Sequence, residues 1–233
     1  MPTPAFADAF AQLKTCIGPY VLSAQKILEA GGGSLSRIDI SEKTEVTVID
    51  LSPEQLERHQ TAHHKILGDL HVVDFGISAF DVAVIWDVIE HLENPGLVLD
   101  KLRAAVRPGG IMIIAAPNPT SLQGMITKRT PHWFHVFILK HVFKSPTAGL
   151  PGFPPFKTIH HADVSPKRLE AWARRHGLET LIYVAYESTR WPTLRKRSRL
   201  LGFLWDLSIS VGNIFSSSPL EASDYYFVVR EPA

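Results

Sequence analysis

Three consecutive glycines and a downstream carboxylate are the first residues of this sequence that could bind a ligand. Gly31, Gly32 and Gly33 follow a short apolar run over residues 26–30. Asp50 ends a second run, which is rich in β-branched residues. Glycines after a strand let a ligand approach the backbone, and an acidic side chain ~20 residues later can accept both hydroxyls of a ribose. Together they predict a site for a nucleoside-containing cofactor.

The glycine segment departs from the pattern of dinucleotide-binding proteins. The third glycine of Gly-x-Gly-x-x-Gly would fall on Ser36, and no helix of normal length fits between Gly33 and Glu45. A pyrophosphate bound at a helix N-terminus is therefore poorly supported, and an adenosine-containing ligand without phosphates fits better. A short-chain NAD(P) oxidoreductase is also disfavoured because the sequence lacks a Tyr-x-x-x-Lys pair.

Histidines form the second group of chemically active residues. His91 follows the apolar run at residues 80–86, whereas His132, His135 and His160 lie in a later segment rich in proline and aromatic residues. Histidine is the usual general base near neutral pH. We therefore expect His91, His132 or His135 to remove a proton from the molecule that is modified, with His160 as a further candidate.

The elements that must position these residues follow from the alternation of short apolar runs with helix-like and turn-like segments. This alternation predicts a mostly parallel sheet in the order β-turn-β-α-β-α-β-α-β, a long insertion, and then α-β-insertion-β. Strands are expected at residues 26–30, 45–50, 65–67, 80–86, 111–116, 179–187 and 224–230. Helices are expected at 7–24 (interrupted by Gly18-Pro19), after an N-cap at Ser52, and at 94–106, 164–176 and 193–215.

Two insertions interrupt what is otherwise predicted to be a single domain over residues 1–233. Residues 120–162 are longer than a simple connection, and we expect them on the substrate side of the sheet. Their aromatic residues suit an apolar or aromatic molecule, although an accessory core or a dimer contact would need the same residues. Residues 188–222 form a helical insertion whose basic start and apolar continuation could contact a membrane surface or pack over the pocket.

Composition narrows the classes of partner. The net charge of the 233 residues is +1, which gives no reason to expect nucleic acid as a partner, and no zinc framework or basic tail is present. Cys16 is the single cysteine, so no internal disulfide can form. No secretory signal pattern is visible, and we expect a cytoplasmic protein of undetermined oligomeric state.

Five segments of the sequence resemble the successive motifs of class I S-adenosylmethionine (SAM)-dependent methyltransferases. They occur in the right order and spacing between residues 26 and 119, at 27–33, 48–56, 68–70, 80–92 and 107–119. The resemblance implies an α/β fold with a Rossmann-like, seven-stranded, mostly parallel sheet and helices on both faces. It also implies SAM as the cofactor and S-adenosyl-L-homocysteine as the product.

The resemblance further implies which residues would hold the cofactor. Those expected to line its methionine moiety are Glu29, Gly31, Gly32, Gly33, Trp86 and Asp87. Asp50 would bind the ribose hydroxyls, and the residues expected near the adenine are Leu51, Asp69 and Leu70. One residue departs from the family pattern: Leu35 replaces the last small residue of Gly-x-Gly-x-Gly.

The segment from Asp87 through Glu90 to His91 is similar to the Glu-x-x-Glu-His metal motif of ubiquinone-pathway O-methyltransferases and of small-RNA 2′-O-methyltransferases. A divalent cation held there would lower the pKa of a substrate hydroxyl. The same Glu-His-Leu segment occurs in metal-free members of the fold, so a metal is a possible cofactor and no metal-binding residue is assigned.

The predicted function is transfer of a methyl group to a small molecule, at a hydroxyl of an apolar or aromatic compound. One alternative is a non-catalytic partner subunit that binds SAM or S-adenosylhomocysteine. A second is a methyltransferase acting on a lipid or a quinone at the membrane surface. The expected partner is a small-molecule substrate rather than nucleic acid, with peripheral membrane contact as a further possibility.

Overall fold

The computed structural model describes residues 3–150, 153, 155–156, 158–159, 162–216 and 218–233. Within these residues, seven strands form one sheet in the order β3-β2-β1-β4-β5-β7-β6. The strands are β1 (Lys26–Ala30), β2 (Glu45–Asp50), β3 (His64–Leu67), β4 (Phe80–Trp86), β5 (Val106–Pro117), β6 (Glu179–Tyr186) and β7 (Asp224–Arg230). Neighbours among β1 to β5 pair in parallel, and β7 is antiparallel to both β5 and β6. The predicted fold class is confirmed.

Helices cover both faces of the sheet. They are α1 (Phe6–Ser23), α2 (Pro53–Arg58), α3 (Pro95–Ala105), α4 (Leu122–Arg129), α5 (His132–His141), α6 (Pro166–Arg175), α7 (Arg190–Arg197) and α8 (Arg199–Phe215). Leu99 of α3 and Trp172 of α6 pack on one face of the sheet, whereas Leu13 and Ile17 of α1 pack on the other. Burial of apolar side chains on both faces explains why the central strands read as continuous apolar runs.

The helices that precede the site strands begin where the sequence predicts. The Ser52 hydroxyl accepts a hydrogen bond from the Gln55 amide at 3.2 Å, and the Asn94 side chain accepts one from the Leu97 amide at 3.1 Å. A proline occupies the first turn after each cap. These caps satisfy amides that have no partner within the helix, which fixes the ends of α2 and α3.

The predicted interruption of the first helix is wrong, because α1 continues through Gly18 and Pro19. Proline removes one helical hydrogen bond and usually kinks a helix. Here Leu13, Ile17 and Val21 form one buried stripe that crosses the proline. Packing of this stripe against the sheet holds both halves of the helix.

Strand β5 begins at Val106 rather than at the predicted Ile111. Its register jumps, since Phe80 pairs with Val106 and Val82 pairs with Ile111. Gly109 lies in the left-handed region at φ +78°, which lets the extra residues leave the regular pairing. The segment predicted to end a helix is therefore an irregular start of a strand.

Two helix predictions in the loops also fail. Residues 68–79, all described by the structure, contain no helix between β3 and β4. The single helix predicted at 193–215 is two helices that meet at Ser198, whose backbone is extended and whose hydroxyl caps α8 by accepting from the Leu201 amide at 3.2 Å. Among the described residues, no helix has the length and apolar character needed to cross a membrane.

Candidate active site

The carboxyl ends of the parallel strands meet at one edge of the sheet and gather most of the predicted site residues there. The chain runs outward from β1 to β3 in one direction and from β4 to β5 in the other, so the strand order reverses between β1 and β4. Open α/β sheets bind ligands at such a reversal. Because β7 is antiparallel to β5, its first residue, Asp224, lies opposite Pro117 at the same edge.

The glycine turn after β1 is tightly held against the turn after β4. Gly31 and Gly33 have φ angles of +69° and +61°, a region that favours glycine. The Gly31 amide donates to the Ile49 carbonyl at 2.7 Å. A Cβ atom on Gly31 would lie 2.4 Å from Cγ2 of Val88, so only glycine fits here. Leu35, the unusual residue of the motif, is exposed.

Residues 34–44 contain no helix, as the short spacing between β1 and β2 predicts. The backbone instead returns directly to Glu45, whose amide donates to the Gln25 carbonyl at 2.8 Å. The glycine turn therefore lacks the following helix whose N-terminus would attract a phosphate. This arrangement agrees with the predicted preference for a ligand without phosphates.

Asp50 is fixed at the end of β2 by two backbone amides. One carboxylate oxygen accepts from Gly33 at 2.9 Å and the other accepts from Ser52 at 2.9 Å. Each oxygen retains a lone pair for another donor. The adjacent Leu51 side chain is 70% exposed, which is unusual for leucine and leaves an apolar surface beside an oriented carboxylate.

Asp69 and Leu70, which follow β3, differ in their surroundings. Asp69 is half-exposed, and its carboxylate accepts from the His71 amide at 2.8 Å and contacts Nδ1 of His71 at 2.6 Å. Backbone and side-chain hydrogen bonds from His71 lower the pKa of Asp69. The Leu70 side chain is buried in the core, so only its backbone can face a ligand.

Glu29 is buried beneath the glycine turn rather than exposed to the edge. Its carboxylate lies 3.1 Å from Nε2 of the buried His59 and accepts from the Ser36 hydroxyl at 3.0 Å. A Cβ atom on Gly32 would lie 3.0 Å from Cβ of Glu29. These contacts indicate that Glu29 supports the glycine turn from the protein interior.

Three carboxyl groups, from Asp87, Glu90 and Asp224, lie close enough to affect one another's ionisation. Burial and the charge of Asp87 raise the pKa of Glu90 to about 8, and burial raises the pKa of Asp224 to about 6. Desolvation also raises the pKa of Asp87, opposed by the positive charges of Arg37 and Arg190. At neutral pH, Glu90 is thus mainly protonated, and its buried Oε2 atom has no hydrogen-bond partner among the described residues.

Asp87 adopts a backbone conformation that few residues tolerate, with φ at +54°. Its amide donates to the Ala115 carbonyl at 2.9 Å, which ties the end of β4 to β5. Strained backbone of this kind recurs at functional sites, where the surrounding structure holds it in place. The conformation directs the chain away from β4 into the short turn at residues 89–91.

An aromatic cluster borders the carboxylates on the α1 side of the sheet. Trp86 packs against Tyr226 with ring centroids 5.2 Å apart and against Phe10 at 6.5 Å. Tyr186 stacks on Tyr226 at 4.6 Å. Burial raises the pKa of Tyr226 to about 12, so this hydroxyl stays protonated. Trp86 thus belongs to a packed apolar wall.

The structure brings one of the candidate histidines to the carboxylates. His91 is partly exposed, with Nε2 3.6 Å from Oε1 of Glu90 and its ring 6.0 Å from that of Phe156. His132 and His135 lie on α5, where their ring centroids are 6.3 Å apart and Nε2 of His135 lies 2.7 Å from the Thr130 hydroxyl. Burial lowers the pKa of His135.

The structure adds no support for the predictions that concern His160 and a bound metal ion. His160 lies outside the described residues. Within the described ranges, no three histidine, cysteine or acidic side chains are arranged to hold a metal ion, and this includes the Asp87-to-His91 segment.

Sequence reasoning missed several residues at this edge, chiefly Asp224, Arg37, Arg190 and His59. Asp224 opens the strand that runs antiparallel, and a predicted strand direction would have placed it at the edge. The charges of Arg37, in the segment between β1 and β2, and of Arg190, the first residue of α7, act on Asp87 from distant parts of the chain, so neither spacing nor motif indicates them. His59 pairs with Glu29 across thirty residues of chain and carries no local signal.

Comparisons with known proteins also indicate a methyltransferase. A family model described as "Methyltransferase domain" matches residues 7–182. Malonyl-[acyl-carrier protein] O-methyltransferase of Serratia marcescens is 30% identical over 127 residues, covering 50% of this chain and 50% of that protein. The chain thus spans half the length of this relative. Ubiquinone biosynthesis O-methyltransferase of Xylella fastidiosa (strain 9a5c) is 26% identical over 174 residues, covering 67% of this chain and 70% of the relative.

Solved structures share the fold at low sequence identity. A putative S-adenosylmethionine-dependent methyltransferase from Listeria monocytogenes superposes with a TM-score of 0.61 and 12% identity, covering 97% of this chain and 98% of that one. Phosphoethanolamine N-methyltransferase 2 of Haemonchus contortus, solved with S-adenosyl-L-methionine, gives 0.54 at 15% identity and covers 98% of this chain and 53% of that one.

Proposed function

Since the chain belongs to the methyltransferase-domain family that matches residues 7–182, we propose that it transfers a methyl group from SAM to a small molecule. The acceptor atom is proposed to be a hydroxyl oxygen of an apolar or aromatic compound. The observation that carries the proposal is the fixed carboxylate of Asp50, which stands beside the glycine turn at the strand-order reversal.

The residues at the ends of β2 and β3 fit the adenosine half of SAM. Asp50 offers two oriented oxygens to the ribose hydroxyls, and the exposed Leu51 beside it offers an apolar surface to a flat ring. Asp69 is half-exposed and its lowered pKa keeps it ionised, so it can accept from an amine or a hydroxyl. The Leu70 backbone is the part of that residue proposed to face the adenine.

Charged groups at the end of β4 fit the amino-acid half of SAM. Asp87 carries a carboxylate suited to an ammonium group, and Arg37 and Arg190, whose charges act on Asp87, are suited to a carboxylate. Gly31, Gly32 and Gly33 are partly exposed, and their backbone is proposed to face the methionine half. We propose that Glu29 positions the methionine half indirectly, by supporting the glycine turn. Trp86 is proposed to act indirectly as well, as part of the aromatic cluster beside the site.

The proposed reaction requires the protein to align the acceptor oxygen with the methyl group, to exclude water and to remove a proton from the acceptor. SAM, when bound, supplies a methyl carbon made electrophilic by its positively charged sulfur. His91 is the proposed proton acceptor, because it is partly exposed at the edge and lies beside Glu90. Asp87, whose carboxyl is affected by the charge of His91, is proposed to stabilise the positive charge that develops on the imidazole. His132 and His135, on α5, are kept as the alternative proton acceptors.

Residues of the first insertion support an apolar acceptor. The Ile159 amide donates to the Glu90 carbonyl at 3.0 Å, and the Phe156 ring packs near His91. These contacts attach the insertion to the edge of the sheet beside the proposed base. An aromatic surface at this point favours an apolar or aromatic acceptor and would keep water from it. The names of both relatives specify O-methylation, which we extend to this chain as part of the proposal.

The test follows SAM binding and methyl transfer in the same preparations. SAM labelled in its methyl group is incubated with a small-molecule extract and with wild-type protein, Asp50→Ala, His91→Ala or the control Asp39→Ala, which changes an exposed aspartate paired with Lys14. We expect Asp50→Ala to weaken binding about 100-fold, because two hydrogen bonds to a charged group are lost. His91→Ala should retain binding and lose about 100-fold or more in transfer rate.

Each assignment has its own contradicting result. Undiminished SAM binding by Asp50→Ala would remove the ribose assignment, and full transfer by His91→Ala would remove the proposed base. Wild-type protein that binds SAM and labels nothing in the extract would identify a non-catalytic cofactor-binding subunit. Asp39→Ala should behave like wild type in both assays.

A further inference from the structure

We propose that helix α8 is a docking surface for an anionic lipid bilayer. The helix belongs to the second insertion, between β6 and β7, and spans seventeen residues from Arg199 to Phe215. The proposal is independent of the methyl-group acceptor, since it concerns a surface outside the cofactor site.

One side of α8 carries a continuous apolar stripe that faces solvent. Its side chains recur every three or four residues, which places them in line along a helix. They define the α8 stripe and are all exposed: Leu200, Phe203, Leu204, Leu207, Val211 and Ile214. Ile214 and the adjacent Phe215 are 76% and 86% exposed. A row of this length, about 20 Å by helix geometry, is far larger than the isolated apolar residues of ordinary surfaces.

The opposite side of α8 is packed against the protein, which fixes the orientation of the stripe. Trp205 stacks on Trp191 of α7 with ring centroids 3.5 Å apart, and a Cβ atom on Gly202 would lie 2.9 Å from Cα of Arg195. Further along, the Asn213 side chain donates to Glu221 at 2.9 Å. These contacts commit one side of the helix to the fold and leave the stripe outward.

Arg195 locks the two helices together by ion pairs. Its guanidinium donates to both oxygens of Glu187 at 2.8 Å and to Asp206 at 2.9 Å. Asp206 is the single acidic residue of α8, and both oxygens of its carboxylate accept hydrogen bonds from Arg195. The Asp206 side chain is 48% exposed but is held in this ion pair, and α8 contributes no other carboxylate to the surface around the stripe.

Positive charge is concentrated at the start of the stripe. Lys196, Arg197 and Arg199 are all exposed next to Leu200. An apolar row adjoining a group of cations is complementary to a layer of anionic headgroups above hydrocarbon. A second copy of the chain would bring the same cations and, from this helix, only the Asp206 carboxylate, which is already paired with Arg195. Charge therefore favours a lipid surface over self-association.

The experiment measures binding of the full chain to sedimented vesicles of two compositions. One contains phosphatidylcholine alone and the other contains phosphatidylcholine with one-third phosphatidylglycerol. We expect wild-type protein to bind the anionic vesicles at least tenfold more tightly than the neutral ones, with the difference reduced by salt. Lys196→Gln with Arg199→Gln should remove most of this preference.

The stripe is tested by Leu207→Glu with Val211→Glu, which places two charges among exposed apolar side chains. The matched control is Leu22→Glu with Ile77→Glu, which makes the same change in charge at exposed apolar residues outside α8. We expect the α8 variant to lose at least tenfold in vesicle binding and the control to lose little. Binding of S-adenosylhomocysteine should be the same in both variants, which separates this proposal from the proposed function.

Several results would overturn the proposal. Equal binding to neutral and anionic vesicles would contradict the role of the cations, and equal loss in the two Glu variants would contradict the role of the stripe. Absence of vesicle binding would contradict the whole surface assignment. If light scattering then shows a dimer that Leu207→Glu with Val211→Glu dissociates, the stripe is an interface between copies of this chain.

Discussion

At the scale of single residues, the glycine turn is constrained in two separate ways. Gly31 has a left-handed backbone, and its α-carbon faces the Val88 side chain at a distance that leaves no room for a methyl group. Gly177, which follows α6, has nearly the same φ of +68° but open space around it. The pair therefore separates the effect of backbone strain from the effect of steric overlap.

We predict that Gly177→Ala lowers the free energy of unfolding by about 1–2 kcal/mol, the cost of a left-handed alanine. Gly31→Ala should cost a further 1–3 kcal/mol, roughly, because the added methyl overlaps Val88. Urea denaturation measures both. Equal losses would show that Val88 moves aside freely and that the turn is less tightly packed than its geometry indicates.

The raised pKa of Glu90 should make the stability of the protein depend on pH, and it determines the direction of that dependence. Its pKa is about 8 in the folded protein against an ordinary value of 4.5. Between these values the unfolded chain releases the proton while the folded protein keeps it, so rising pH favours unfolding. Stability from this group therefore falls from about pH 4.5 to about pH 8 and then levels off.

Glu90→Gln removes this ionisation while keeping the side chain's size. We expect the fall in Tm between about pH 5 and about pH 8 to be smaller in Glu90→Gln than in wild type, with Glu93→Gln as the exposed control. Asp87 and Asp224 leave a residual slope because their pKa values are also raised. Identical slopes in all three proteins would contradict a buried, protonated Glu90.

At the scale of elements, local sequence patterns predicted most of the helix and strand boundaries. They failed where tertiary packing determines the boundary. β1, β4 and β7 begin and end at the predicted residues. The interruption of α1 by Pro19 was wrong because a buried stripe outweighs one missing hydrogen bond. The start of β5 was misplaced because an irregular register, which depends on the neighbouring strand, leaves no local pattern.

The division of the second insertion into α7 and α8 depends on Ser198. Its hydroxyl accepts from the Leu201 amide and so caps α8, while its extended backbone ends α7. Sequence periodicity alone continues through this point, which is why a single helix was predicted. The joint allows the two helices to pack side by side.

We predict that Ser198→Ala weakens the first turn of α8 by about 1 kcal/mol, since a capping hydrogen bond is lost. Hydrogen exchange of the first-turn amides should then become about fivefold faster. Ser208→Ala is the control, because Ser208 lies within the helix and its hydroxyl donates to the Leu204 carbonyl. Unchanged exchange in Ser198→Ala would show that packing against α7, rather than the cap, holds the helix end.

At the scale of the whole molecule, the sheet order explains why residues far apart in the sequence share one edge. Motif spacing was sufficient to place Gly31, Asp50 and Asp87 near the ends of parallel strands. It could not place Asp224, whose position depends on the reversed direction of β7. Nor could it separate His91 from His132, since only the path of the insertion decides which histidine meets the carboxylates.

Burial also changed the interpretation of two predicted contact residues. Glu29 precedes a partly exposed glycine turn and Leu70 follows the exposed Asp69, yet Glu29 lies under the turn and Leu70 lies in the core. A one-dimensional motif records proximity to a site and does not record the direction of a side chain. Side-chain direction depends on which face of the sheet each residue occupies.

The most direct test of the proposed cofactor site is a crystal structure of the protein with S-adenosylhomocysteine. We predict that the ribose hydroxyls bind the Asp50 carboxylate, that the adenine lies against Leu51, and that the amino-acid end lies beside Asp87 at the reversal between β1 and β4. Density for the ligand elsewhere, such as in the ~540 Å³ cavity lined by Ile49, His63 and Phe75, would contradict it.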